Sequence, residues 1–211
     1  MESKTLGAGN DTFDSTNTAA SQTLNAGDVL VGGDGTDRLA IVSSIAGGNL
    51  GQGVQTTSVE QLSVNAVDVT TVNAATMAGV TDVYNNASIQ PVIVNGLAAL
   101  ANVHVLNTNQ NTTVTFAAAA VAGLADATTV LLNGAATTAL AAPVVTVNGI
   151  ETINLVAAGT ASGSATSATT LTSDTLTTLN MTGVGARVVA GLPGATATVT
   201  GTSHQTPVHM M

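Results

Sequence analysis

The fold is decided by the stretch VEQLSVN at residues 59–65, because its spacing of apolar residues returns along the chain. The pattern is apolar-x-x-apolar-x-apolar, and its copies are Val59-x-x-Leu62-x-Val64, Val80-x-x-Val83-x-Asn85, Leu100-x-x-Val103-x-Val105, Ala127-x-x-Val130-x-Leu132, Ile150-x-x-Ile153-x-Leu155 and Leu176-x-x-Leu179-x-Met181. Their middle positions are separated by 21, 20, 27, 23 and 26 residues. A repeat of this length is typical of a solenoid, in which each coil buries its apolar face by stacking on its neighbours.

Strands are the predicted building units of these coils. β-branched residues alternate with period two at residues 92–94, 113–115, 145–147 and 197–200, which indicates half-buried strands. Leucine-rich repeats share the L-x-x-L-x-L core, but they usually add a helix per repeat, and the intervals here are rich in Ala, Thr and Gly. We therefore predict an all-β protein, a right-handed parallel β-solenoid, with loops at residues 46–53 and 159–170.

The amino-acid composition agrees with a core of closely stacked strands and argues against most classes of enzyme. Aromatic residues are 1% of the chain and charged residues 7%, whereas 45% are hydrophobic. The chain has no cysteine, which excludes disulfides, thiolate metal sites and cysteine nucleophiles. There is no G-x-S-x-G elbow and no P-loop, and the shortage of aromatics argues against polysaccharide-cleaving β-helix enzymes. We predict that the protein is not an enzyme.

Two glycine–aspartate loops precede the repeats. Residues 32–40, GGDGTDRLA, match the nonapeptide G-G-x-G-x-D-x-U-x at every position. Residues 6–14, LGAGNDTFD, keep two of its glycines, its aspartate and its apolar residue. Glycines allow turns that point main-chain carbonyls inward, and the carboxylate at the sixth position completes an all-oxygen site suited to calcium. Gly–Asp pairs are also common in ordinary turns.

The distribution of charge supports a cation-binding end. The net charge is −9, from 12 acids against the three basic residues Lys4, Arg38 and Arg187, so we expect no nucleic-acid partner. Six of the acids lie in the first 40 residues. The longest apolar run, residues 116–125, is well short of the roughly 18 residues that cross a bilayer, so no transmembrane segment is expected. The N-terminal residues lack the apolar core of a signal peptide.

Other polar residues give weaker signals. His104 alternates with two valines on a predicted strand and should point outward to solvent, and Tyr84 is the only tyrosine. Four acids lie near the repeat strands and are expected on a solvated face or a lateral contact rather than as an acid–base pair: Glu60, Asp82, Glu151 and Asp174. The predicted organisation is a loop region at residues 1–45, a solenoid body at 46–202 and a tail at 203–211 that contains His204 and His209.

The glycine–aspartate loops at residues 6–13 and 27–39, followed by the repeats at 59–65 and 149–155, resemble the opening and the Thr/Ala/Val-rich body of RTX-type bacterial surface-layer proteins. The resemblance implies calcium dependence and secretion to the cell surface or beyond by a type I system that reads a C-terminal signal. It also implies a calcium site in which carboxylates and neighbouring turn groups are ligands: Asp11, Asp28, Asp34, Asp37, Gly9, Asn10, Gly33 and Gly35.

These observations together predict an extracellular, non-enzymatic structural protein that assembles with itself into a lattice or filament. Open solenoid ends are templates for further chains, and calcium would rigidify the acidic loops. The expected partner is another copy of the chain, with cell-surface polysaccharide as a second expected partner. The alternative is a calcium-binding module of a secreted adhesin or hydrolase.

Overall fold

The computed structural model describes residues 2–133, 143–157, 168–183, 187–191, 199–200 and 209–210. The described residues form strands and turns and contain no helix. Almost all strand pairs are parallel, and neighbouring strands in a sheet come from successive coils. The predicted all-β parallel solenoid is therefore confirmed.

The strands, in chain order, are β1 Ser3–Thr5, β2 Thr12–Thr18, β3 Ser21–Gln22, β4 Val29–Val31, β5 Arg38–Ser43, β6 Gly48–Leu50, β7 Gln55–Thr57, β8 Gln61–Ala66, β9 Thr70–Asn73, β10 Asp82–Asn86, β11 Val92–Leu97, β12 Asn102–Leu106, β13 Thr112–Phe116, β14 Ala127–Asn133, β15 Val144–Val147, β16 Thr152–Ala157, β17 Ala168–Thr172, β18 Thr178–Gly183, β19 Arg187–Gly191, β20 Val199–Thr200 and β21 His209–Met210.

Three sheets make up the sides of the solenoid. A ten-stranded sheet has the order β20-β18-β16-β14-β12-β10-β8-β5-β2-β3, and an eight-stranded sheet has the order β21-β19-β17-β15-β13-β11-β9-β6. A three-stranded sheet, β1-β4-β7, adds a further side at the N-terminal end. Within the described residues the one antiparallel pair is β2 with β3, where residues 18–21 turn back on the first strand of the large sheet.

The number of residues per coil depends on whether the coil contributes a strand to the three-stranded sheet. Residues in contact across successive coils are 26 and then 23 positions apart where the third sheet is present. The separation falls to 21 and 20 in the coils that follow β7. It rises again to 27 between β12 and β14, where residues 117–126 bulge outward as turns.

The core lies between the sheets and is built from the apolar positions of the repeat. Leu62, Val64, Val83, Val103 and Val130 are all fully buried. Successive side chains of a strand point to opposite faces, so the alternate residues form outward rows that run along the solenoid, one residue per strand. The inward rows stabilise the stack mainly through the apolar area that they remove from water.

The predicted register is wrong at one step. The repeat pattern aligns Ile153 with Val130, but Ile153 pairs with Thr128, and Val130 pairs with Leu155. Ala127, predicted to face the core, is exposed, whereas Thr128 is buried and donates its hydroxyl to the Ala101 carbonyl at 2.6 Å. A shift of two residues keeps the same face inward, so the apolar pattern does not detect it.

The predicted loop at residues 46–53 is wrong at its centre, because β6 lies there and pairs with β9. In the second predicted loop, residues 159–167 lie outside the described residues, and the prediction is wrong at residues 168–170, which begin β17. In the predicted tail, residues 203–208, with His204, also lie outside them, whereas His209 belongs to β21, which pairs with β19. No helix in the described part of the chain is long and apolar enough to span a bilayer.

Candidate functional site

The two glycine–aspartate loops lie directly on each other in the first two coils. Ala8 pairs with Asp34 as an isolated parallel bridge, and the Gly9 N–H donates to the Asp34 carbonyl at 2.8 Å. The Thr36 N–H donates to the side-chain oxygen of Asn10 at 2.9 Å. Equivalent residues of the two loops therefore occupy one corner of the solenoid, which we call the glycine corner (residues 6–11 and 32–37).

Glycine is required in this corner for two reasons. Gly33 and Gly35 have φ angles of 109° and 126°, which other residues rarely adopt. A Cβ atom at Gly33 would overlap the carbonyl oxygen of Gly7, and one at Gly35 would overlap that of Gly9. The loops therefore form a cradle in which backbone carbonyl oxygens come close to the next coil.

Asp37 lies inside the glycine corner and is fully buried. Its Oδ1 accepts the Asp11 N–H at 2.8 Å, but its Oδ2 has no partner among the described residues. Oδ2 lies against the backbone of Gly32, where a Cβ would overlap it. A buried carboxylate oxygen without a partner is costly, and a bound cation is one way to compensate it.

The other predicted ligands are placed differently. Asp11 is half-buried beside Asp37, and its carbonyl accepts the Arg38 N–H at 2.9 Å. Asp34 belongs to the corner, but its side chain is exposed. Asp28 lies before β4, so that strand separates it from the corner.

Asp28 acts as a turn cap in this position. It is buried, and its carboxylate oxygens accept the N–H groups of Glu2 and Asn25 at 3.0 and 2.8 Å.

The structure thus brings seven of the eight predicted ligands together in the glycine corner and leaves Asp28 outside it. The seven are Asp11, Asp34, Asp37, Gly9, Asn10, Gly33 and Gly35. Among the described residues, no three His, Cys, Asp or Glu side chains converge as they would in a carboxylate-rich metal site. A cation here would take its oxygens from Asp37, from Asp11 and from turn carbonyls. Calcium accepts this kind of mixed oxygen set.

A second role of acids at this edge of the large sheet was not predicted from the sequence. The Glu60 carboxylate accepts the Asp37 N–H at 2.8 Å, and the Glu151 carboxylate accepts the Asp126 N–H at 2.9 Å. Asp174 likewise accepts the Gly149 N–H at 2.7 Å. These carboxylates, like that of Asp37, satisfy an N–H of the preceding coil, so they hold successive coils together.

A cluster of aromatic and charged side chains lies on the outer face of the large sheet. The rings of Tyr84 and His104 are stacked, with centroids 4.3 Å apart and an interplanar angle of 12°. The Arg38 guanidinium lies 5.4 Å from the centre of the Tyr84 ring. We call these three residues the stacked cluster. His104 points outward as predicted, but it is only 17% exposed.

Asp82 and Gln61 support the stacked cluster from the neighbouring outward row. His104 Nε2 lies 2.7 Å from Asp82 Oδ1, and it carries the proton when the carboxylate is ionised. Arg38 donates through Nε and Nη2 to Gln61 Oε1, at 2.9 and 2.7 Å. In the part of the chain that the structure describes, the His104–Asp82 contact is the only ion pair.

The surroundings shift the pKa of two of these groups, Asp82 and Tyr84. Burial raises the pKa of Asp82, but hydrogen bonds from His104, Thr81 and Asn102 outweigh it, and the pKa lies below its ordinary value. Burial raises the pKa of Tyr84, the nearby Asp82 carboxylate adds to the rise, and Arg38 opposes it. Asp82 therefore stays ionised and Tyr84 stays protonated over a wide pH range.

Sequence reasoning missed the stacked cluster although one signal was available. Tyr84 and His104 are 20 residues apart, the same separation as Val83 and Val103 in the repeat. Residues one period apart lie side by side on neighbouring strands of a solenoid. The repeat spacing, applied to the residues between the apolar positions, would have placed the two rings together.

Comparison with known proteins gave no match: no protein-family model, no curated protein and no solved structure is significantly similar to this chain.

Proposed function

We propose that this protein is a non-enzymatic structural module that assembles with itself outside the cell, with calcium bound in the glycine corner as a structural clamp. The observation that carries the proposal is the buried, unpartnered Asp37 Oδ2 inside a cradle of glycine turns. A divalent cation at this position would compensate the buried charge and hold the first two coils together.

Self-assembly is supported by the exposed edge at the N-terminal end. Strand β1 ends the three-stranded sheet, and all three of its residues are exposed. β3 pairs with β2 only at Asn17 and Thr18. An edge with free backbone groups is a template for another strand, and an end-to-end contact between copies produces a filament if it does not close.

The resemblance to RTX-type surface-layer proteins supports an extracellular lattice or filament and type I secretion. The glycine–aspartate loops that carry the resemblance are the ones that the structure stacks in one corner. Assembly would be calcium-dependent if the clamp is needed to order the coil that presents the edge.

The alternative is a calcium-binding module of a larger secreted adhesin or hydrolase. One observation favours it: residues 18–24 fold over part of the first coil. The Leu24 N–H donates to the buried Asn17 side chain at 3.2 Å, and Leu24 itself is buried. This segment covers part of the end that would otherwise bind a further chain, as a terminal cap does in a monomeric solenoid.

The proposal is tested by measuring calcium binding calorimetrically and assembly by negative-stain microscopy, with calcium and with EDTA. The Asp37→Asn variant keeps an oxygen for the Asp11 N–H but loses the charge, and we expect it to weaken calcium binding roughly tenfold or more. Asp174→Asn is the matched control, because Asp174 accepts a backbone N–H in the same way in a later coil.

Three results would refute parts of the proposal. Equal calcium affinity in wild type and Asp37→Asn would remove the assigned site. Calcium binding by a protein that stays monodisperse in both conditions would favour the module. Absence of any calcium binding would remove the clamp.

A further inference from the structure

The stacked cluster places positive charge on a strongly acidic molecule. The chain carries three Lys and Arg residues against 12 acids, and one of the three is Arg38. The guanidinium of Arg38 bonds to the neutral oxygen of Gln61. Within the described residues no carboxylate lies within ion-pair distance of it.

The faces of the Tyr84 ring are not free for a flat ligand. β12, which carries His104, and β5, which carries Arg38, lie on opposite sides of β10, which carries Tyr84. The imidazole and the guanidinium therefore approach the Tyr84 ring from opposite sides. A nucleobase or a neutral sugar therefore has no open face of Tyr84 to stack on, and the cluster presents the polar edges of Tyr84 and Arg38.

Those edges are hydrogen-bond donors. The Tyr84 hydroxyl has no hydrogen-bond partner among the described residues, and its raised pKa keeps it protonated. The Arg38 Nη1 group is not used by Gln61, whose oxygen binds Nε and Nη2. The Asp82 carboxylate is already bound by His104, Asn102 and Thr81. Donors grouped in this way around a guanidinium suit a carboxylate.

The chain itself is a source of such carboxylates. Glu2, Asp14 and Asp34 are exposed at the N-terminal end. Because the net charge is −9, two copies repel in most orientations, and the stacked cluster is a place where the acidic end of another copy gains attraction.

We propose that the stacked cluster is a docking site for the acidic N-terminal end of a second copy of this chain. This inference rests on the proposed self-assembly and specifies which two surfaces of the chain are in contact. Glu2 and Asp34 lie outside the large sheet, whereas Asp14 lies on its outer face, on β2 beside the strand that carries Arg38. Because this contact joins two different surfaces, copies continue to add as a filament unless the subunits close into a ring.

The test measures association of the full chain by sedimentation velocity and light scattering, in calcium, as a function of protein concentration. We expect Arg38→Gln to weaken association roughly tenfold, about the effect of losing one charge-assisted bond. Arg187→Gln is the matched control, since it removes the same charge from β19 in the other sheet, and it should stay within about twofold of wild type. Sodium acetate should dissociate the assembly more than sodium chloride at the same ionic strength.

Tyr84 supplies an independent readout, because the chain has one tyrosine and no tryptophan. Its fluorescence should change as wild type associates and should not change in Arg38→Gln over the same concentration range. The Tyr84→Phe variant keeps the ring and removes only the hydroxyl, so it should weaken association less than Arg38→Gln. Circular dichroism of each variant verifies that the strands are retained.

The outcomes separate the two proposals. If wild type assembles and Arg38→Gln assembles equally well, the docking site is wrong and self-assembly stands. If wild type stays monomeric in calcium, self-assembly is wrong and the docking site falls with it. Tyr84 fluorescence could instead respond to an oligogalacturonate and not to protein concentration. The stacked cluster would then bind the carboxylates of an acidic polysaccharide, and a second copy of the chain would be refuted as its partner.

Discussion

Glu60→Ala tests how strongly a single carboxylate holds two coils together. The Glu60 carboxylate accepts the N–H of the fully buried Asp37 at 2.8 Å, in the wall of the glycine corner. Truncation leaves that N–H without its acceptor, and losing a hydrogen bond to a charged group costs roughly 1.5–3 kcal/mol. For a domain of this size each kcal/mol lowers Tm by about 2–4 °C. We therefore expect a decrease of roughly 4–8 °C for a loss of about 2 kcal/mol.

The assay is thermal and urea unfolding followed by circular dichroism, with hydrogen exchange of the Asp37 amide as the local readout. Glu60→Gln keeps an acceptor oxygen and should lose about half as much, because neutral hydrogen bonds are roughly half as strong. Asp14→Ala is the control, since it removes an exposed acid for which no hydrogen bond is seen among the described residues. The reasoning fails if Glu60→Ala and Asp14→Ala unfold at the same temperature, or if the Asp37 amide keeps its protection.

Three further predictions follow from the coils and the cluster. Leu62→Ala should cost about 2–5 kcal/mol in urea unfolding, because Leu62 is fully buried in the central stack. Gly35→Ala should lower calcium affinity and stability, because the added Cβ would overlap the Gly9 carbonyl at a φ of 126°, whereas Gly7→Ala, with nothing within 4 Å, should be tolerated. The phenolate absorbance of Tyr84 should titrate above pH 10.0 in the folded protein and return to that value in urea. Because the folded pKa of this acid is raised, the unfolded chain ionises first, and stability should decrease as the pH rises through 10.0.

The solenoid was predictable because the apolar pattern recurs every 20–27 residues. The periodicity of a single helix or strand is much shorter, so it cannot produce a repeat of this length. Val59, Leu62 and Val64 lie where the pattern places them, fully buried in one coil. The exact register was less predictable. Ile153 and Leu155 are both apolar and both point inward, so the pattern cannot decide which of them follows Val130. Backbone hydrogen bonds and the length of the preceding turn decide it.

The polar sites were harder to predict because their chemistry depends on the neighbouring coil. Glu60 has the same sequence context as a solvated surface acid, and only the position of Asp37 one coil earlier makes it a cap. His104 is similar: alone it is an outward strand residue, and Tyr84 and Asp82 in the preceding coil give it a ring to stack on and a carboxylate to bind.

The proposed cation at one end of the solenoid can be compared with a second corner that has the same carboxylate contacts. Asp37 and Asp126 occupy equivalent corners, each with its N–H bound to a glutamate of the next coil and each with Oδ2 unpartnered among the described residues. Asp37 is fully buried, whereas Asp126 is only half-buried and its turn contains a single glycine, Gly123. Both Oδ2 atoms are buried, so the difference lies in the turns: the two glycine–aspartate loops surround Asp37 with backbone carbonyls that could complete an oxygen site, and the Asp126 turn offers fewer glycines for such a cradle. The proposed calcium would therefore stabilise the glycine corner more than the Asp126 turn, where the Glu151 carboxylate bonds to the backbone of the preceding coil.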